Sequence, residues 1–225
     1  YQGGDYEAVL VKTREGRPIK IEPRDAKNAR VTKGGSSARA QASVLSLYDG
    51  ARLRNPKRAK ENITWETADK EIGEKLKAAA AAGKVVLFSN TVISPTTKNV
   101  IAEFGNSLGA GKFEHLVYDG ISYSGILDAN EKSFGKRLIP SYNFAKAKVI
   151  VGVGADFLGT WISPTEFSHD WAENRRVSKE KNEMSRHIQI ESVPTITGYK
   201  ADTRIAHKPS EMHASLVDLY NIVIG

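Results

Sequence analysis

The 225-residue chain contains no cysteine. Disulfides, thiolate zinc sites, cysteine nucleophiles and cysteine-ligated iron–sulfur clusters are therefore excluded within it. The absence is silent about compartment, because a chain without thiols suits the cytosol and an oxidising space equally. No run of about 18 apolar residues occurs, so no transmembrane helix is expected, and the residues after Tyr1 lack the layout of a signal peptide. There is no G-x-S-x-G nucleophile elbow and no H-E-x-x-H metal pair. The five histidines, His115, His169, His187, His207 and His213, fall at no i, i+4 spacing on an expected helix. Nothing in their pattern gathers the three or four ligands that a metal needs.

What is present is an ordinary globular composition, 40% hydrophobic and 26% charged, with a mean hydropathy of −0.40. The length is sufficient to bury a core without staples. A net charge of +7 favours anionic partners. The cations are spread over Lys12–Lys20, Arg52–Lys60 and Arg175–Lys181, without a basic helix interleaved with aromatics, so no nucleic-acid partner is expected. If one basic stretch docks an acidic partner or anionic lipid, Arg52, Arg54, Lys57, Arg58 and Lys60 are the candidates. The chain opens on Tyr-Gln-Gly-Gly and closes on an apolar helix. Both ends read as cut, and a longer parent polypeptide is expected.

Alternation of apolar and polar residues over 6–12 and 18–22, with Glu15-Gly16 between, predicts a β-hairpin. A short helix over 38–48 follows, and residues 55–62 read as a linker. The expected division is a small β-rich N-terminal unit over 1–56 and an α/β Rossmann-like domain over 57–225. Apolar spacing predicts a helix from Trp65 to Ala82, with Trp65, Ala68, Ile72, Leu76 and Ala79 on one face and a left-handed cap at Gly83. Val85–Ser89 reads as a strand buried on both sides. Ser94-Pro95 starts a helix, His115–Tyr118 is a strand, and a helix near 122–134 turns Tyr123, Ile126, Leu127 and Phe134 inward. Lys148–Val153 is the clearest strand. Ser163-Pro164-Thr165-Glu166 predicts a capping box in which Glu166 reaches back to the Ser163 N–H. His187–Ser192 is a further strand and 210–223 a closing amphipathic helix. The fold class expected is α/β: a parallel Rossmann-like sheet with helices on both faces, preceded by a β-hairpin-plus-helix unit.

Chemistry-bearing patterns are sparse. Gly152-Val-Gly154-Ala-Asp156-Phe-Leu-Gly159 follows a strand and precedes a helix, as a phosphate-binding turn does in a dinucleotide site. Its spacing departs from G-x-G-x-x-G, and a carboxylate at Asp156 repels phosphate. The loop therefore reads either as a nucleotide- or pterin-dinucleotide-binding element of an oxidoreductase domain, or as a sharp turn in which Asp156 caps locally. Lys33-Gly34-Gly35-Ser36-Ser37 has the residue types of a phosphate loop without its order.

Residues 33–54, KGGSSARAQASVLSLYDGARLR, resemble the segment that carries the last cluster ligand in molybdopterin oxidoreductases: a Gly-rich turn, a cysteine, a basic residue, a short amphipathic helix, then Tyr-Asp and Arg-Leu. Ser37 stands at the cysteine's place and Arg39 at the basic residue's. The strings SNTVISPTTKNVI (89–101), YDGISYSGILDANEKSFGKRLIPSYNF (118–144), KVIVGVGADFLGTWISPTEF (148–167) and ADTRIAHKPSE (201–211) resemble, in order, the N-terminal part of the molybdopterin oxidoreductase-like iron–sulfur subunit of bacterial alternative complex III, a quinol:cytochrome c oxidoreductase. The resemblance implies an exported subunit at the periplasmic face of the bacterial inner membrane. Its N-terminal part would be a molybdopterin-enzyme fold without the molybdenum cofactor, and its iron–sulfur clusters would lie in a separate C-terminal part. It implies other subunits of a membrane-bound respiratory complex as partners, no span in this chain, no catalytic residue and no cofactor here. Ser37 would be unable to serve as a metal ligand. Gly154, Asp156 and Asp202 fall where active relatives approach the pterin dinucleotide, and are candidates for a vestigial pocket.

Overall fold

The computed structural model of the chain describes residues 6–29 and 31–225. In chain order it forms the hairpin strands β1 (Val9–Arg14) and β2 (Arg17–Pro23), then helix α1 (Ala38–Ala42), continued by a 3-10 turn over Ser43–Leu47. The two-residue strands β3 (Lys57–Arg58) and β4 (Glu61–Asn62) follow, then α2 (Trp65–Ala82), β5 (Val85–Ser89), α3 (Pro95–Ser107), β6 (Phe113–Val117) and α4 (Ser124–Phe134). The remainder is β7 (Val149–Val153), α5 (Pro164–Arg175), β8 (Arg186–Glu191), α6 (Ile196–Lys200), β9 (Thr203–Ala206) and α7 (Met212–Ile224). The class is mixed α/β: parallel strands flanked by helices, with an antiparallel N-terminal hairpin, as the strand–helix alternation indicates. The parallel strands form two sheets, β5-β6 and β7-β8-β9. Among the described residues no helix is long and apolar enough to cross a membrane.

Contacts gather the chain into two compact units. One is built from Ala42–Ile139, the other from Glu7–Gln41 together with Pro140–Gly225. In the first, residues 55–62 carry the β3–β4 ladder where a linker was expected. The α2 start follows its sequence: the Thr64 hydroxyl accepts the Thr67 N–H at 3.2 Å, the ordinary N-cap bond. Ser94 caps α3 in the same way, with Pro95 at the first helical position. Gly83 ends α2 in an extended conformation (φ −173°) and not in the left-handed form expected there, whereas Gly135, for which no cap was expected, ends α4 left-handed (φ 67°). Gly105 faces the Phe113 ring, which an added Cβ would overlap, so α3 lies close against β6 there.

Burial in this unit departs from the apolar periodicity. Its buried apolar side chains are small: Val44, Ala68 and Ala80. Trp65, Ile72 and Phe134, expected to face inward, are exposed, as are Val86 and Phe88 of the strand expected to be buried on both sides. The physical reason is width. Two strands about 4.8 Å apart cover less than the roughly 10 Å breadth of a single helix, so the sheet cannot hide the apolar faces of three.

The second unit is packed around aromatic residues. Phe167 of α5 is fully buried against Ile150 of β7 and against Phe157. Phe144 stacks on Phe157 with ring centroids 4.5 Å apart and meets Phe167 edge-on at 5.2 Å. Such offset and T-shaped contacts are the favoured geometries of aromatic pairs. The capping box at α5 does not form. The Ser163 side chain makes no cap bond. Glu166 instead accepts the Ser141 hydroxyl at 3.2 Å and lies 3.9 Å from the Lys33 ammonium. An ammonium offers a carboxylate more than a neutral amide does.

Candidate functional site

The Gly-rich loop comes first along the chain. Lys33 (φ 50°) and Gly34 (φ 85°) both adopt the left-handed region, which lets the backbone reverse onto α5. Gly35 then approaches so closely that an added Cβ would lie 2.8 Å from the Thr165 methyl. Lys33 donates to Asp170 Oδ1 at 2.6 Å, and Asp170 is buried. Ser37 lies at the N-terminus of α1. Its hydroxyl accepts the Ala40 N–H at 3.1 Å, and its own N–H donates to Glu7 Oε2 at 2.8 Å. Arg39, one residue into the helix, is exposed. These residues do not fit an iron–sulfur cluster. The atom at the ligand position is a neutral hydroxyl already engaged as a helix cap, and no thiolate exists in the chain. Among the described residues no three His, Asp or Glu side chains are grouped as a metal would require.

The second candidate is the loop after β7. Gly152 is needed because a Cβ there would overlap Gln189 Oε1 of the neighbouring strand. Gly154 takes φ 65° and donates its N–H to Ile190 O at 2.8 Å. Beyond it, the backbone oxygen of Asp156 accepts the N–H groups of Gly159, Thr160 and Trp161 at 2.9 to 3.1 Å. The Asp156 carboxylate accepts the Thr197 N–H at 3.2 Å, the Thr197 hydroxyl at 2.7 Å and the Thr160 hydroxyl at 3.1 Å. Leu158 N–H donates to the Thr197 hydroxyl at 2.9 Å. Donors that would cradle a phosphate in a dinucleotide loop are thus turned inward, and Asp156 ties the loop to α6.

Asp202 lies between α6 and β9. It receives a two-pronged guanidinium contact from Arg175, at 2.8 Å to Oδ2 and 2.5 Å to Oδ1, and the His187 N–H at 2.8 Å. The Arg175 hydrogen bonds, against the cost of partial burial, hold its carboxyl below the usual range. Gly154, Asp156 and Asp202 therefore sit in one unit, but each is engaged by internal contacts.

No protein-family model matches this sequence, and no curated protein is significantly similar to it.

The richest chemistry lies along β8, where sequence reading gave only a strand. His187, Gln189 and Glu191 share its buried face, while Ile188 and Ile190 are only half-buried. Trp171 Nε1–H, which can only donate, reaches His187 Nδ1 at 3.3 Å. The proton of the neutral ring therefore sits on Nε2 and points to Gln189 Oε1 at 3.4 Å. The Gln189 amide in turn donates to Ala155 O at 3.2 Å. The result is a one-directional relay from indole to imidazole to amide to backbone carbonyl. Glu191 at the strand end accepts Arg204 Nε at 2.6 Å, the Thr195 hydroxyl at 2.7 Å and the Thr195 N–H at 3.2 Å. Burial pushes the Glu191 carboxyl up, but these Thr195 and Arg204 bonds together bring it below its usual value. The one sequence signal for this row is the polar alternation H-x-Q-x-E itself. Its partners Trp171, Arg175 and Arg204 come from other elements.

Burial is the largest influence on His187 and lowers its pKa. The Gln189 bond and the Asp202 and Glu191 charges work against it, and the Arg175 charge works with it. The folded chain therefore keeps the ring neutral at a pH where the unfolded chain, near pH 6.5, takes up a proton. Folding stability is accordingly full above about pH 6.5 and declines as pH falls from there towards the depressed folded-state value. Urea midpoints measured between about pH 7.5 and about pH 5.5, each about a unit beyond that point, should show this decline, and His187→Gln should flatten it. An unchanged slope in the variant would show that another group is responsible.

Proposed function

We propose that this chain is the cofactor-less scaffold portion of a respiratory quinol:cytochrome c electron-transfer subunit, of the kind found in bacterial alternative complex III. Its role in this reading is mechanical. It positions a cluster-bearing C-terminal part against the other subunits of a membrane-bound complex, at the periplasmic face of the inner membrane. The ordered strings from Gly34 to Glu211 motivate the assignment. The observation that carries the scaffold role is that the groups at the three inherited cofactor positions serve the protein itself. The Ser37 hydroxyl caps α1, the Asp156 carboxylate holds α6, and the Asp202 carboxylate holds Arg175.

Metal analysis and visible absorption of the purified chain test this. The expected result is neither iron nor molybdenum in stoichiometric amount, and no cluster or pterin band. Either metal at one equivalent would overturn the scaffold role. Thermal denaturation with millimolar guanine nucleotide addresses the loop after β7. A ligand at 100 times its Kd adds about 2.7 kcal/mol, and no shift of that kind is expected.

A further inference from the structure

The β1–β2 hairpin carries a charge arrangement that its own fold does not balance. Lys12 stands directly opposite Lys20, and Arg14 directly opposite Arg17. Side chains two residues apart on a strand share a face, and cross-strand partners do too. The four cations therefore lie on one face, about 5 Å apart across the ribbon and about 7 Å apart along it. All four are exposed. Like charges directly opposite destabilise a ladder, and this hairpin has two such pairs in succession. The one acid on the face is Glu22, which accepts Lys20 at 3.0 Å. Its carboxyl is held below the usual range first by Lys20 and, more weakly, by the charge of Lys12. Among the described residues Lys12, Arg14 and Arg17 make no ion pair of their own.

The surroundings narrow the class of anion. Leu10 shares the cationic face and is about half exposed, as is the bulge residue Ile19, while Val11 lies on the opposite face across from buried Ile21. There is no Phe, Tyr or Trp anywhere from Glu7 to Gln41. Single-stranded nucleic acid is held by aromatic stacking as well as by cations, and this surface offers none. A layer of phosphate with an apolar layer behind it matches both features. Long cationic stems reach the charged layer while aliphatic side chains rest against the boundary below.

We propose that the hairpin is a docking surface for an anionic lipid bilayer, with headgroup phosphates seated over Lys12, Arg14, Arg17 and Lys20 and Leu10 against the acyl boundary. The like-charge pairs are tolerated because the docked state neutralises them. The surface requires only a bilayer with anionic headgroups, so it stands or falls separately from the respiratory assignment.

The test is co-sedimentation of the full chain with vesicles of phosphatidylcholine plus phosphatidylglycerol, against vesicles of phosphatidylcholine alone. The decisive variant is Lys12→Glu with Arg17→Glu. It converts both cross-strand pairs to opposite charges, so the hairpin should fold at least as well, with an unchanged or higher melting temperature. Binding to the anionic vesicles should nevertheless fall about tenfold or more, since each cation near such a surface contributes on the order of 1 kcal/mol. Wild-type binding should also weaken steeply with salt. Equal binding to both vesicle types, or undiminished binding by the folded double variant, would overturn the proposal. So would binding of single-stranded DNA or polyglutamate without binding to anionic vesicles.

Discussion

Replacement of Phe167 by alanine is expected to destabilise the unit containing the three-stranded sheet by about 3–5 kcal/mol. The side chain is fully buried, and it is the common neighbour of Ile150, Phe157, Phe144 and Trp161. Truncation removes apolar surface from that cluster and leaves a cavity among rings whose backbones are fixed by β7 and α5. Rings held edge-on and stacked cannot collapse into the gap as flexible aliphatics could. A urea titration followed by aromatic fluorescence should show the midpoint falling with the slope preserved. Phe134→Ala provides the contrast. Phe134 is 76% exposed, and its loss should change stability by no more than about 0.5 kcal/mol. Equal effects of the two truncations would mean that the aromatic cluster is not the core.

Arg204→Met should be the next most damaging change, at about 3 kcal/mol near neutral pH. The stem is kept, but Glu191, 2% exposed, loses the one cation that pairs with it among the described residues. The two Thr195 hydrogen bonds remain, which places the loss at the low end for a buried pair broken from one side. The sign with pH follows from the carboxylate. In the wild-type chain its folded pKa is depressed, so its contribution is present above the unfolded value and is lost as pH falls through the folded one. Without Arg204, two of the influences that lower the carboxyl are gone, its hydrogen bond and its charge, and the carboxyl protonates more readily than in the wild-type chain. The deficit relative to wild type should therefore shrink in acid. Adding Glu191→Gln to Arg204→Met should recover most of the loss, because the residual cost comes from an unpaired charge and not from shape. If Arg204→Met is neutral at pH 7, the pair contributes no more than an exposed one.

How far the sequence alone reaches is clear from particular elements. The α2 boundaries follow from Thr64, the apolar repeat and Gly83, all local signals. The hairpin follows from alternation around Glu15-Gly16, and β7 from its apolar run. Local signals fail where a distant group competes. Glu166 has the spacing of a capping box but turns to Lys33, which reaches it through tertiary structure. The strand at β8 is legible, but its buried face is not. Its aliphatic residues would ordinarily point inward, whereas Trp171, Ala155 and Arg204 receive its polar ones. The short α6 and β9, five and four residues long, carry too few positions to show a period. Ser37, Asp156 and Asp202 were visible as candidates, but their present duties depend on Ala40, Thr197 and Arg175. Only the first of these is a near neighbour in sequence.

The unit that holds the β8 relay is assembled from two stretches of chain separated by Ala42–Ile139. Its order of completion during synthesis is therefore fixed. A ribosome adds roughly 5–20 residues per second, so the hairpin, which ends at Pro23, emerges roughly 10–40 s before the sheet that ends at Ala206. The folded chain keeps the hairpin as a two-stranded sheet of its own, so among the described residues its outer edges stay unpaired after the unit is complete, the condition in which strands of separate copies can join. Lys12, Arg14, Arg17 and Lys20 give those edges a cationic coat, which disfavours edge-to-edge pairing between copies of the chain.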